Sequence, residues 1–432
     1  MSRVCGFLLF LMAAVGTTAV RGESCTATVS VAAKSANDGF NDGIDRSDPS
    51  FITASLLFAE PADSLYSGFG HVCIRLKCPK FNLDTVFSEE SEAVGHRVLT
   101  FFAGKLKMGM FAVPTEEFLN LCRDESRGVR QYRLNLPPEM KQRLWKVLDD
   151  QVKEGHDLPY DYEKRGCSWV TVNSIFRALE SEKLEILPWP AEYDLTRREI
   201  MDRFLSDFKW FRFAVHAIWG TKLDCEKPKM EKIVVPPLVF RFLKTARIRG
   251  VPIMSEEFEQ LVPPSRNPMR PTVFTPMMAA ILFLLLALAR FVLPPSRWQL
   301  ALDWLFLGLQ SAAGLFFMYL VCFSSLPATT WNWLIVPFNL LPLVFWRWRR
   351  YWAWPFAAVL VAWEALMIFY PHQLTDWAYV VIVAAYIVFY AKQGTRRGRL
   401  LQHALEKLGT LTMISRRPAS RCASLRCSSN AR

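Results

Sequence analysis

Two residues, Cys167 and His71, carry side chains that can act as a nucleophile and its base. Cys167 precedes apolar residues at helical spacing, which predicts a helix that begins at this cysteine. A helix N-terminus, with Lys164 and Arg165 nearby, would lower the pKa of the thiol and offer free N–H groups to an oxyanion. The alternative is a buried or disulfide-bonded cysteine, which is the more common state of an exported cysteine.

His71 begins a stretch in which apolar and polar residues alternate. Val72, Ile74 and Leu76 would face a core, so His71 would lie on the polar face at the start of a strand. The preceding residues, which include Gly68 and Gly70, allow a tight turn and a close backbone approach. Without a partner, a histidine at this position is a structural or surface residue.

The elements around these two residues indicate an α+β fold. We expect a small antiparallel sheet that starts near His71 and a helix over 137–153, opened by Pro137 and Pro138. Further helices are expected over 195–213 and 236–247.

The N-terminus has the pattern of a secretory signal over residues 1–22, so residues 23–273 are predicted to be an exported domain. Disulfides can persist in that compartment. The domain has six cysteines, and a free thiol at Cys167 would leave at most two bridges. A Cys73–Cys78 pair is conceivable, but the spacing does not fix the pairing. No metal-ligand spacing occurs in the sequence, and no cofactor is expected.

Five apolar segments follow in a transmembrane domain over 274–391, and each approaches the length of a membrane-spanning helix. They cover 275–293, 300–323, 329–346, 352–370 and 377–391. Lys and Arg gather in alternate loops and in the tail 392–432, which predicts a cytoplasmic tail and a periplasmic exported domain at the bacterial inner membrane.

The distribution of charge excludes one class of partner. The formal net charge is +12, but residues 23–273 hold 35 basic and 36 acidic side chains. The basic excess lies in the tail and in the loops between apolar segments. This pattern argues against a nucleic-acid groove on the exported domain and points to a membrane surface.

The motifs resemble those of the bacterial Lnb-type lipoprotein N-acyltransferase family. The resemblance rests on the runs Ser64–Leu76 (SLYSGFGHVCIRL), Phe102–Leu106 (FAGKL), Gln131 with Leu134–Leu136, Tyr160–Tyr162, Cys167–Ser168, Ile218–Gly220 with Asp224, and Thr330–Leu334 (TWNWL). The exported domain of this family is similar to circularly permuted papain-like thiol enzymes, in which a histidine on a strand precedes a cysteine on a helix. The order of His71 and Cys167 matches that arrangement.

The resemblance also implies roles for other side chains. A third group that orients the imidazole would come from the strand after His71, where Ser88 and Glu89 are the candidates. Tyr66, Tyr160 and Asp161 are possible supporting groups. The chain differs from the family in Arg165-Gly166 before the cysteine and Trp169-Val170 shortly after it.

The implied reaction is a two-step acyl transfer at the membrane. Cys167 would take an acyl chain from a phospholipid as a thioester, and the N-terminal amine of a lipoprotein would resolve it. Two alternatives remain open: a cysteine peptidase or amidase that acts on cell-wall peptides, and a non-catalytic protein that binds lipid or lipoprotein.

Overall fold

The computed structural model describes residues 45–61, 68–92, 97–159, 161, 165–179, 184–186, 188–264, 273–292, 296–326, 329, 331–369 and 376–393. The predicted signal peptide and the tail beyond residue 393 lie outside the described residues.

The exported part is built on a seven-stranded antiparallel sheet with the strand order β10-β5-β1-β2-β3-β4-β6. Its strands are β1 (Thr53–Ala59), β2 (His71–Cys78), β3 (Leu83–Ser91), β4 (Lys107–Pro114), β5 (Val129–Leu134), β6 (Leu158–Pro159) and β10 (Met254–Val262). The sheet is larger than predicted, because β10 arrives from more than a hundred residues downstream to pair with β5. A second sheet contains β7 (Leu184–Ile186), β8 (Ala246–Ile248) and β9 (Val251–Pro252).

Both faces of the large sheet are covered near His71. Val72, Ile74 and Leu76 lie in the main core, as their alternation predicts. The other face, expected to be polar, has a second small core in which Cys73 packs with Phe118. Phe118 belongs to an amphipathic helix that lies on this face, so the alternation of β2 indicated the two faces but not that both are covered.

Helices connect and cover the strands. They are α1 (Val98–Phe102), α2 (Thr115–Asp124), α3 (Pro138–Lys153), α4 (Cys167–Leu179), α5 (Arg197–Phe204), α6 (Lys209–Ile218) and α7 (Pro236–Thr245). The helices expected over 137–153 and 236–247 are confirmed in α3 and α7. The single helix expected over 195–213 is wrong. The N–H of Leu205 closes α5 and that of Phe208 bonds the Leu205 carbonyl, so the chain turns before α6 begins.

The C-terminal part is helical and apolar. It contains α8 (Pro276–Val292), α9 (Arg297–Phe323), α10 (Leu341–Val344), α11 (Arg349–Phe369) and α12 (Trp377–Gln393). Among the described residues, the segments Arg297–Phe323 and Trp346–Phe369 are long and apolar enough to cross a membrane, while α8 and α12 are shorter apolar helices. Leucines, tryptophans and phenylalanines are exposed on their outer surfaces, as on a protein solvated by lipid.

The third predicted span, 329–346, does not form a continuous helix. Pro337 lacks an N–H donor, and Asn339 bonds its own neighbours, accepting from the N–H of Leu341 at 3.0 Å. The neighbouring helix compensates, since Gln310 of α9 donates to the Pro337 carbonyl at 2.7 Å. A Cβ atom added at Gly314 would lie 2.8 Å from the Asn339 backbone, so the glycine allows this segment to pack closely against α9.

Candidate active site

Helix α4 places Cys167 beside the start of β2. Its buried residues Val172 and Ile175 belong to the main core, which holds the helix against the sheet. Thr171 adds a hydrogen bond from its hydroxyl to the carbonyl oxygen of Val72 at 3.4 Å. The backbone N–H of Val72 in turn donates to the Cys167 thiol. The thiol therefore lies against the peptide that directly follows His71.

The imidazole of His71 is oriented by two side chains of β3. Its Nε2 lies 2.7 Å from Ser88 Oγ, and that hydroxyl donates to Glu90 Oε1 at 2.9 Å. Ser88 and Glu90 are two residues apart, so both side chains lie on the strand face that carries His71. The three side chains form one hydrogen-bonded chain that runs from His71 through the buried Ser88 to Glu90.

The direction of these hydrogen bonds assigns the tautomer of His71. An ionised Glu90 can only accept, so the single hydroxyl proton of Ser88 is used in that bond. The contact between Ser88 and the ring must then be donated by Nε2–H of His71. Nδ1 consequently carries the lone pair and is the basic atom of the imidazole.

The pKa values of the pair correct one expectation from the sequence. Desolvation, followed by the positive charge of Arg127, lowers the pKa of His71 to about 3. Desolvation also raises the pKa of the Cys167 thiol, although the Val72 N–H and the Ser168 hydroxyl and N–H act in the opposite direction. The pair is therefore neutral at pH 7, and burial outweighs the helix N-terminus that was expected to lower the thiol pKa.

Glu89 does not share the surroundings of Ser88. It lies on the opposite face of β3, is only 8% exposed, and is close enough to Arg165 for their charges to interact. Desolvation raises the pKa of Glu89 to about 7, against the opposing effect of Arg165. Of the two candidates for a third group on this strand, only Ser88 contacts His71.

Of the other predicted site residues, the structure describes Asp161. Asp161 accepts a hydrogen bond from the N–H of Arg165 through its backbone carbonyl at 2.8 Å, which shapes the turn before Cys167. Tyr66 and Tyr160 lie outside the described residues. Sequence reasoning missed Glu90, although its position two residues after Ser88 on a strand was a usable signal.

The cysteines of the described exported part are free thiols. Cys73 and Cys78, the pair considered from the sequence, lie in the two cores on opposite faces of the sheet. Cys122, Cys167 and Cys225 are also free. Within the described residues, no group of three or more His, Cys, Asp or Glu side chains is placed to hold a metal ion.

The site lies where β2 begins and β3 ends, at the end of the strands that contacts the apolar helices; this end is called the sheet edge below. β2 begins at this edge and β3 ends there, and helix α1 connects β3 to β4. Directly after α1, the Ala103 carbonyl accepts from the Ser325 N–H at 3.0 Å, and the Leu99 carbonyl of α1 accepts from Tyr319 of α9 at 2.9 Å. His71 and Ser88 therefore belong to the same edge that contacts α9.

Residues 40–197 match the family model of the Lnb N-terminal periplasmic domain. The matched segment contains His71, Ser88, Glu90 and Cys167 and ends before the apolar helices. No curated protein and no solved structure matches the chain. With its apolar helices, the protein is a membrane protein with a periplasmic domain, related to proteins of lipoprotein modification. The resemblance drawn from the motifs is thus confirmed for residues 40–197, which are similar to the Lnb N-terminal periplasmic domain.

Proposed function

We propose that the protein is a membrane-anchored thiol acyltransferase that moves an acyl chain from a phospholipid, through a thioester on Cys167, to the N-terminal amine of a bacterial lipoprotein. One observation carries this proposal: the Cys167 thiol lies against the Val72 N–H, directly after His71, whose tautomer is set by Ser88 and Glu90, at the sheet edge that contacts the apolar helices. A reactive group at that edge is close to ester groups of membrane lipids.

In the first step, the Cys167 thiol gives its proton to Nδ1 of His71 while its sulfur attacks the ester carbonyl. The neutral resting pair fits this order of events, because the imidazole takes the proton only as the S–C bond forms. The resulting positive charge on the ring is stabilised through Ser88 by Glu90. When the ester C–O bond breaks, the leaving oxygen takes the proton from His71, and a lysophospholipid departs.

In the second step, the lipoprotein amine attacks the thioester carbonyl. His71 removes a proton from the amine nitrogen, the C–S bond breaks, and the Cys167 sulfur takes that proton back. The product is an amide, and the free thiol is restored. The backbone N–H of Val72 and the hydroxyl of Ser168, both close to the sulfur, are the donors best placed to stabilise negative charge in both steps.

The same proposal includes the inner-membrane topology expected from the sequence, with the exported domain in the periplasm and the tail in the cytoplasm. The segment 329–346, the irregular segment, supports this topology. Near its start, Asn332 donates to the Ala217 carbonyl of α6 at 2.7 Å. The segment ends near the opposite end of the helices, where Arg349 donates to Gln393 of α12 at 3.3 Å. It thus passes from one end of the apolar helices to the other without forming one continuous helix.

The test is mass spectrometry of the detergent-purified full-length protein after incubation with phosphatidylglycerol or phosphatidylethanolamine. We expect an acyl adduct on the Cys167 peptide that hydroxylamine removes, and no adduct in Cys167→Ala. Cys225→Ala, which removes an exposed thiol outside the site, should retain the adduct. A wild-type protein that binds phospholipid and stays unmodified would overturn acyl transfer in favour of the amidase or non-catalytic alternatives.

A further inference from the structure

Arg127 is a buried cation whose hydrogen bonds are only partly used. It lies in the turn between α2 and β5 and is 7% exposed. Its Nε donates to the Glu60 carbonyl at 2.8 Å, and its Nη1 pairs with Glu125 Oε2 at 2.9 Å. Its Nη2 is buried and has no hydrogen-bond partner among the described residues. The guanidinium is thus fixed through two nitrogens, while the third is buried without an acceptor among the described residues.

The positive charge of Arg127 acts directly on the candidate active site. It contributes to the lowered pKa of His71, and it moderates the pKa values of Cys167 and Glu90. Glu125 pairs with the guanidinium, and the charges of both residues act on Glu90. The strand pairing places Arg127 at the same end of the sheet, because Ala59 pairs with His71 on one side and with Val129, two residues after Arg127, on the other.

A buried cationic donor without an acceptor is costly, so such a group is expected to meet an acceptor during function. The oxygens of a phosphate diester suit a guanidinium in charge and in geometry. In a glycerophospholipid, the short glycerol backbone separates the phosphate from the ester carbonyls. A phosphate held by Arg127 would consequently hold an ester close to Cys167.

We propose that Arg127 binds the phosphate of the acyl-donor phospholipid through Nη2 and thereby places the ester carbonyl at the Cys167 sulfur. This inference rests on the proposed acyl transfer and names the subsite that selects its donor. Arg127 exchanges no proton in either step. Its contribution is to select phosphate-bearing esters over esters without a phosphate.

The first experiment compares two acyl donors in full-length Arg127→Gln. One donor is phosphatidylglycerol in vesicles, and the other is a p-nitrophenyl ester, which has no phosphate. Loss of a charge-assisted hydrogen bond should slow acylation of Cys167 by the phospholipid roughly 10- to 100-fold. With the p-nitrophenyl ester the rate should fall less than about threefold, since only the effect of the charge on the thiol is lost.

Two further variants keep this comparison interpretable. Arg123→Gln removes an exposed arginine of α2 that pairs with Glu116, and it should react with both donors like the wild type. Arg127→Lys retains the charge, so it should fold where Arg127→Gln does not and should react with phosphatidylglycerol at an intermediate rate. Equal losses with both donors in either Arg127 variant would overturn the proposal, because the residue would then act on the thiol and not on the phosphate.

The second experiment measures binding without turnover. Glycerol 3-phosphate should slow iodoacetamide alkylation of the Cys167 peptide in the wild type at pH 9, and this protection should disappear in Arg127→Gln. Equal protection in both proteins, or protection in neither, would overturn the phosphate subsite. If phospholipid never acylates wild-type Cys167 but Arg127-dependent protection is present, the proposed transfer fails and the phosphate site stands.

Discussion

A single hydroxyl proton decides which nitrogen of His71 can act as a base. Ser88 donates that proton to Glu90 and accepts from Nε2–H of the ring, which leaves Nδ1 unprotonated. Removal of the hydroxyl by Ser88→Ala would let the ring rotate and change tautomer. We expect acylation of Cys167 to slow by roughly 10- to 100-fold. The measurement is the rate of p-nitrophenyl ester turnover by the purified protein.

Ser91→Ala is the matched control for this change, because Ser91 ends the same strand and, three residues after Ser88, lies on the opposite face. It should retain the wild-type rate. Comparable rates in Ser88→Ala and the wild type would show that Ser88 does not orient the ring.

Glu90 should give the reaction part of its pH dependence. Desolvation raises the pKa of Glu90, so it takes up a proton at a higher pH than a free glutamate. Once protonated, it no longer stabilises the positive charge that forms on His71, and the rate should fall as pH drops through this pKa. Glu90→Gln should lower the plateau rate and remove this titration from the profile of rate against pH. An unchanged profile in Glu90→Gln would exclude the carboxylate from the mechanism.

Glu89 should affect stability and not catalysis. Its pKa is raised to about 7, so the folded state favours the protonated acid. As pH rises from about 4.5 through 7, the unfolded chain releases this proton more readily than the folded one, and stability is lost. Glu89→Gln should therefore stabilise the protein at pH 8, by at most roughly 3 kcal/mol, and change little at pH 5.

Thermal unfolding of the variant and the wild type at both pH values checks the effect of Glu89→Gln. A gain of equal size at pH 5 and pH 8 would contradict the assigned titration.

The residues of the candidate site differ in how far the sequence could place them. His71 and Cys167 were predictable because each belongs to a local pattern, a strand and a helix start. Ser88 was predictable as a candidate, and Glu90 follows from strand alternation once Ser88 is chosen. Arg127 was not predictable, because its position depends on the turn that pairs β5 with β1, where Gly128 accepts from the Glu60 N–H.

Secondary-structure elements were predictable where the apolar residues follow a single clear periodicity. Helices α3 and α7 have an apolar face and prolines at the first turn, and both formed as expected. The segment 329–346 is as apolar as a spanning helix, but Pro337 and the local hydrogen bonds of Asn339 prevent one. Hydropathy averages over such residues, so it detects the length of a segment and not its conformation.

The loop after α1 packs closely against the residues that follow α9. Gly104 has a φ of +70°, and a Cβ at this position would lie 2.6 Å from the Ser325 side chain and 2.9 Å from that of Leu326. Gly104→Ala should lower the free energy of unfolding through both backbone strain and this collision, by roughly 2 to 3 kcal/mol.

Gly250→Ala separates the two causes. Gly250 has a φ of +78°, but a Cβ added there would have no atom within 4 Å, so only the strain of about 1 kcal/mol applies. Thermal unfolding in detergent should give a lower midpoint for Gly104→Ala than for Gly250→Ala. Equal midpoints would mean that the loop and α9 are not tightly packed.

The two parts of the protein make contact through several polar and aromatic pairs. Arg212 of α6 lies 3.4 Å from Asp376, the Phe213 carbonyl accepts from the Tyr379 hydroxyl, and the two rings of this second pair stack at 4.2 Å. No local pattern in the sequence specifies these pairings, since each joins residues more than 160 positions apart. They hold the candidate site at a fixed position relative to the apolar helices.

This fixed position matters only if the acyl donor comes from the membrane, and a variant at the junction tests that requirement. The buried Asn332 donates to the carbonyls of Ala217 and Ile218 of α6. Asn332→Ala should loosen the exported domain and slow acylation of Cys167 by phosphatidylglycerol in vesicles roughly tenfold, because proximity is lost. Turnover of a soluble p-nitrophenyl ester should change less than about twofold, since the site itself is intact.

Asn339→Ala is the matched control for this junction, because among the described residues its amide bonds Val336 and Leu341, both within the same irregular segment. It should act on both donors like the wild type. Equal losses with both donors in Asn332→Ala would mean that the site itself is distorted, and no loss with phosphatidylglycerol would mean that docking is not needed for access to lipid. A loss confined to the membrane-bound donor is expected only if the junction delivers Cys167 to the bilayer surface.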